Sequence, residues 1–286
     1  MSIKTPPSDN LDSDSQNERR ISLRRSAGET LSYVDILRQK LKSNEFQVLL
    51  ELCVRNPGTR PALAQHERIE FNAAGSVTKI NLSGLPVKEL SPLGELKDLI
   101  SLDLSMTQVT SLFPLTECEN LSRLWLDQTE LRDLSPMTAK PLTVLMMNQT
   151  KVVNLEILKT FPRLEFLGLE GTPVISFEAL EALPKLKHLN IGRTRYDSLS
   201  ELRACVFLHT LLAPQCRIRS LAPLSKLHEL VKVDLSWNQV TECSALHALP
   251  KLRELNLAGN PLLPRAVADT VQNLKQIHGN KVKISL

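Results

Sequence analysis

Six histidines and five cysteines are the side chains of this 286-residue chain best suited to acid–base, nucleophilic or metal chemistry. The histidines are His66, His188, His209, His228, His247 and His278, and they stand in no His-Glu-x-x-His arrangement. The chain also lacks a Cys-x-x-Cys pair and a glycine-rich phosphate loop. Cys118 and Cys205 share one repeat position, and Cys216 and Cys243 take others where buried residues belong, which suits a small hydrophobe rather than an exposed nucleophile. No catalytic residue, metal site or cofactor is assigned. What remains is recognition chemistry: Arg123, Trp125, Val144, Met146, Phe166, His188 and Leu212, with Trp237 apart from them, are the aromatic, apolar and cationic types that form interface centres. Ser22 and Ser26 each follow paired arginines, in Arg19-Arg20-Ile21-Ser22 and Arg24-Arg25-Ser26, a spacing that makes them candidate phosphorylation sites for basic-directed kinases.

The elements that must position these residues are written into a repeat. Ile80, Leu102, Leu124, Leu145, Leu167, Leu189, Leu211, Val233 and Leu255 open nine similar strings, stepping by 22 residues except for one step of 21 between Leu124 and Leu145. Within a copy, alternation such as Leu102-Asp103-Leu104 predicts a short strand with its leucines on one face. Apolar residues then recur every third position, as at Val109, Leu112, Leu115, Cys118 and Leu121, which suits a 3₁₀ or extended return. Pro92, Pro114, Pro136 and Pro223 mark one place on that return. Stacked copies therefore make an α/β solenoid with a curved parallel sheet on the concave face and close-spaced returns on the convex back. Arg123, Val144, Phe166 and His188 fall in one outward row of the sheet, and Trp125, Met146 and Leu212 in the next. An exposed apolar patch is expected there on copies 3 to 5.

The pattern Leu-x-x-Leu-x-Leu-x-x-(Asn)-x-Leu-x-x-Leu-x-x-Leu-x-x-Leu resembles the leucine-rich repeat over roughly residues 77–262. Its 22-residue length and period-3 return resemble the class found in bacterial internalins and in the leucine-rich regulatory subunits of protein phosphatase one. The family usually has Asn where this chain has Leu85, Thr107, Thr129, Thr150, Thr172, Thr194, Cys216, Asn238 and Asn260. The ladder is thus mainly threonine, which satisfies turn backbone with one hydroxyl where Asn offers both donor and acceptor. The resemblance implies a surface for protein partners and leaves that surface's residues unspecified.

Around the repeats (residues 73–264) the chain divides into a tail over 1–30 with no hydrophobic period, expected to be disordered, a helical N-terminal cap over 31–72 and a C-terminal cap over 265–286. The N-terminal cap should break near Lys42-Ser43-Asn44 and stop at Pro57-Gly58. A hairpin is expected from Glu67–Asn72 and Val77–Leu82, and a helix from Pro264 to Leu274 with an apolar edge at Val282-Lys283-Ile284.

Residues 73–264 carry 20 Lys/Arg against 20 Asp/Glu, which speaks against a nucleic-acid footprint. No apolar run is long enough to span a bilayer, and no secretory apolar segment opens the chain, so no membrane association is expected. An odd number of core thiols points to a reducing, cytoplasmic setting, including delivery into a host cell by a non-Sec route. The function that fits is a monomeric, non-catalytic protein-interaction module binding a protein partner on its concave face, either as a bacterial effector in host cells or as an endogenous adaptor. The alternative is a regulatory subunit of an enzyme such as a protein phosphatase.

Overall fold

Each repeat core forms a short strand, of three residues in all copies but the first, whose inward-facing aliphatic side chain is withdrawn from water. In the computed structural model, which describes residues 33–60, 68–279 and 282–286, these strands are β2 (Val77–Asn81), β3 (Ser101–Asp103), β4 (Arg123–Trp125), β5 (Val144–Met146), β6 (Phe166–Gly168), β7 (His188–Asn190), β8 (Thr210–Leu212), β9 (Lys232–Asp234) and β10 (Glu254–Asn256). Residues 1–30, with Ser22 and Ser26, and His66 lie outside the described residues. Neighbouring strands pair in parallel with the repeat leucines in direct register, Leu102 opposite Leu124, Leu145 opposite Leu167 and Leu189 opposite Leu211. From Ile80 to Leu255 none of the nine is more than 2% exposed. The core is therefore one continuous aliphatic column running beneath the sheet.

The returns are 3₁₀ turns, as the period of three predicts. In the first, Leu93 N–H donates to Leu90 O at 2.9 Å, Leu96 N–H to Leu93 O at 3.0 Å and Leu99 N–H to Leu96 O at 3.2 Å. Pro92, Pro114, Pro136 and Pro223 each open such a turn, where a missing N–H leaves no bond unmade. The third copy, one residue short, has a turn of three residues (Ser135–Met137) where the other copies have five. Ala139 takes up the contraction at φ 60°, and the buried Lys140 sends its Nζ to Thr116 O of the copy before.

The polar ladder beside the strands changes along the chain. Thr107, Thr129, Thr150, Thr172 and Thr194 are buried, and each hydroxyl donates to the carbonyl three residues back in its own copy. Asn238 does more: its Nδ2 donates to Leu235 O and also to Ala213 O of the preceding copy, while its Oδ1 accepts from Ile218 N–H. Asn260 makes the same bridge to Leu235 O and Val240 N–H.

Both ends of the column are covered. Helices α1 (Tyr33–Lys40) and α2 (Ser43–Arg55) break where expected, and the hairpin of β1 (Ile69–Phe71) with β2 docks into that break. Lys42 N–H donates to Gly75 O at 3.0 Å, and a Cβ at Gly75 would stand 2.4 Å from Lys40 O, so only glycine fits this turn. Buried Glu45 accepts from Val77 N–H, and Asn56 joins α2 to the first return by accepting from the N–H groups of Lys88 and Glu89. At the far end α3 (Pro264–His278) runs one turn beyond the predicted Leu274, stopping where Gly279 takes φ 59°. The apolar edge near Val282 is a strand, β11 (Lys283–Ser285), pairing in parallel with β10 so that Ile284 faces Leu255. The eleven strands thus form one sheet in sequence order, antiparallel only between β1 and β2.

Candidate functional site

Because successive side chains alternate faces and in-register strands lie about 4.8 Å apart, outward residues of adjacent copies stand directly side by side. Register places Arg123 beside Val144, Val144 beside Phe166, and Phe166 beside His188; in the second row Trp125 stands beside Met146 and Met146 beside Gly168. Val144, Met146 and Phe166 form a small apolar cluster of their own, with Trp125 packed against it and the main core on the opposite side of the sheet.

The cluster is in the expected place but is not the open patch that the sequence suggested. Val144 is 1%, Met146 2% and Phe166 6% exposed, because neighbours at strand spacing close over one another. The Met146 methyl folds over Gly168, within 2.6 Å of where a Cβ would stand, and His188 stacks on Phe166 with ring centroids 4.3 Å apart. Burial, with like charge from His209 and Lys187 adding to it, pushes the His188 imidazole down to about 4. Leu212 is also buried, between Asn190 and Asp234, and outside the cluster. Trp237 follows β9, five strands from Trp125 and so about 24 Å away along the sheet. It is 65% exposed at φ 58°, its indole lying over Gly259. The structure therefore brings six of the eight candidate residues together and leaves Leu212 and Trp237 apart.

A polar ladder borders the cluster, and it was not singled out from the sequence. Asp127 Oδ1 accepts from Asn148 N–H at 2.8 Å and from Asn148 Nδ2 at 2.9 Å; Asn148 Oδ1 accepts from Glu170 N–H; Glu170 Oε2 accepts from Asn190 Nδ2 at 2.9 Å. Burial pushes the Asp127 carboxyl up, against the pull of its Asn148 bonds. The available signal was a carboxylate or amide in successive copies just after the strand.

Two donors in the site have no acceptor. Among the described residues, Arg123 Nε and Trp125 Nε1 are both withdrawn from solvent and make no hydrogen bond. A buried unsatisfied donor typically costs about 1–3 kcal/mol. By contrast, lysines on or beside other strands of the sheet have acids: Lys79 with Glu70 at 2.8 Å, Lys187 with Glu165 at 2.8 Å and Lys232 with Glu254 at 2.7 Å. Among the described residues no group of three or more His, Cys, Asp or Glu is placed to hold a metal ion, and no helix is long and apolar enough to cross a membrane.

No family model matches the chain, and no curated protein matches it. Solved structures do match. Internalin C2 of Listeria monocytogenes is 24% identical with a TM-score of 0.55, the match covering 66% of this chain and 80% of the internalin. A leucine-rich repeat protein of Leptospira interrogans is 18% identical with a TM-score of 0.63, covering 75% of this chain and 62% of that one. The ectodomain of the Arabidopsis receptor kinase HAESA, solved with an IDA peptide hormone, is 21% identical with a TM-score of 0.69, covering 82% of this chain and 44% of the ectodomain. The fold is a leucine-rich repeat solenoid. In this solenoid the leucines, threonines and most cysteines are consumed by packing, and the outward residues of β4 to β7 carry the composition that packing does not dictate.

Proposed function

We propose that the chain is a protein-interaction module that binds a protein partner on the outward face of the sheet, centred on Arg123, Trp125, Val144, Met146, Phe166 and His188. The carrying observation is the second apolar cluster, separate from the core and flanked by Trp125 and unpaired Arg123. Apolar burial on the solvent side of a sheet contributes nothing that the leucine column requires, and Trp with Arg is the composition of interface hot spots. The HAESA ectodomain, captured with a peptide, supports a peptide-sized occupant. Leu212 and Trp237 belong to this reading only as outlying contacts.

Its finer form is an internalin-like, threonine-laddered repeat of bacterial origin that works inside a host cell, supported by the likeness to internalin C2 and by the five buried threonines. Fusion of residues 1–30 to a reporter, followed by a delivery assay into host cells, checks that form; a reporter retained in the bacterium overturns it.

The central test is a crosslinking pull-down comparing the wild type with Trp125→Ala/Phe166→Ala. Loss of specific partners with an unchanged circular dichroism spectrum is expected. An identical partner set in both samples would sink the proposal.

A further inference from the structure

We propose that Arg123 and Trp125 together recognise one carboxylate side chain on the partner segment, an inference that rests on the docking reading above and adds the chemistry of its anchor. Arg123 stands on the outward face, and among the described residues its Nε has no acceptor. Its in-register neighbours are Ser101 and Val144, neither of which can neutralise it. The lysines at Lys79, Lys187 and Lys232 each hold a carboxylate within 2.8 Å. Two residues apart on β4, the Arg123 Nε and the Trp125 Nε1 are both donors, both withdrawn from water and both without an acceptor. A guanidinium presents planar paired donors that fit a carboxylate in two parallel bonds, and an indole N–H donates only. The pair therefore asks for an acceptor-only group.

The surroundings narrow the source of that group. The donors border Val144, Met146 and Phe166, so their ligand brings apolar atoms along with the acceptor, as a peptide does and a free ion does not. Asp103, in register with Trp125, and Asp127 and Glu170 just beyond the strands repel a second negative charge. One acidic residue set among neutral or apolar ones is the sequence that this face fits.

The experiment displays two pools of short, N-acetylated and C-amidated random peptides on the full chain, with the central residue fixed as Glu in one pool and Gln in the other. The Glu pool should yield binders, and changing that Glu to Gln in a selected peptide should weaken it about tenfold or more. Arg123→Gln in the protein should give a similar loss, Arg123→Lys a smaller one, and Trp125→Phe, which keeps a ring and removes the N–H, an intermediate one. Circular dichroism melting confirms that each variant is folded. Binders that tolerate Glu to Gln, or that hold Arg123→Gln as tightly as the wild type, overturn the carboxylate anchor. In that outcome, loss of the same binders on Trp125→Ala/Phe166→Ala leaves the docking face standing. If neither pool yields a binder sensitive to the double variant, both readings fall.

Discussion

Phe166 and His188 lie in register on adjacent strands with their rings stacked, the planes inclined by only 7°. The stack half-buries the imidazole, and this burial, with like charge from His209 and Lys187, lowers its pKa from 6.5 to about 4.

That depression sets the sign of a pH effect. Between pH 6.5 and about 4 the unfolded chain binds a proton at His188 that the folded chain does not, so this site's contribution to stability is full above 6.5 and is lost as pH falls toward 4. Urea unfolding measured from pH 7 downward should show a shallower fall for His188→Leu than for the wild type. Parallel curves would show that the stack does not hold His188 neutral.

Leu167 sits wholly buried in β6, midway along the sheet. Leu167→Ala should destabilise by about 2–5 kcal/mol, as for other buried leucines. A loss below about 1 kcal/mol in chemical denaturation would contradict the register described here.

The two kinds of ladder residue make a graded prediction. Asn238→Thr keeps a bond to Leu235 O but strands Ile218 N–H and Ala213 O of the copy before, and should cost about 1–3 kcal/mol. Hydrogen exchange should quicken at the Ile218 amide before it does elsewhere. Unchanged protection there would mean that the bridge carries no weight.

Burial raises the Cys118 thiol to about 11 and the Cys205 thiol to about 12, and pushes Cys216 and Cys243 up as well. Cys53 alone of the five is half-buried. An aromatic disulfide reagent at mild alkaline pH should therefore label Cys53 quickly and the others only after unfolding. Rapid labelling of Cys118 or Cys205 in the native protein would show that the column opens locally.

How much of this was legible follows from how local each feature is. The strands, their register and the 3₁₀ returns were readable because Leu102, Leu104 and Val109 announce a change from period two to period three within a few residues. The break between α1 and α2 was readable from Lys42-Ser43-Asn44 for the same reason. The closure of Val144, Met146 and Phe166 was not, since it depends on what stands beside each one on the next strand and on Gly168 leaving room. Arg123's lack of a partner is likewise a matter of side-chain direction, which composition cannot supply. β11 escaped because its pairing with β10 joins segments separated by the whole of α3, and a three-residue Lys-Ile-Ser strand carries almost no pattern of its own.

The short third copy has a consequence for assembly. Nine near-copies could in principle stack one frame out of step, with most leucines still buried and only the ends in error. A frame shifted by one copy would set the three-residue turn of Ser135–Met137 where a five-residue turn belongs and would take Lys140 away from Thr116 O, leaving a buried ammonium without its acceptor. The missing residue thereby acts as an alignment key, penalising shifted frames and giving a chain of interchangeable units one address from which the position of every other copy is counted.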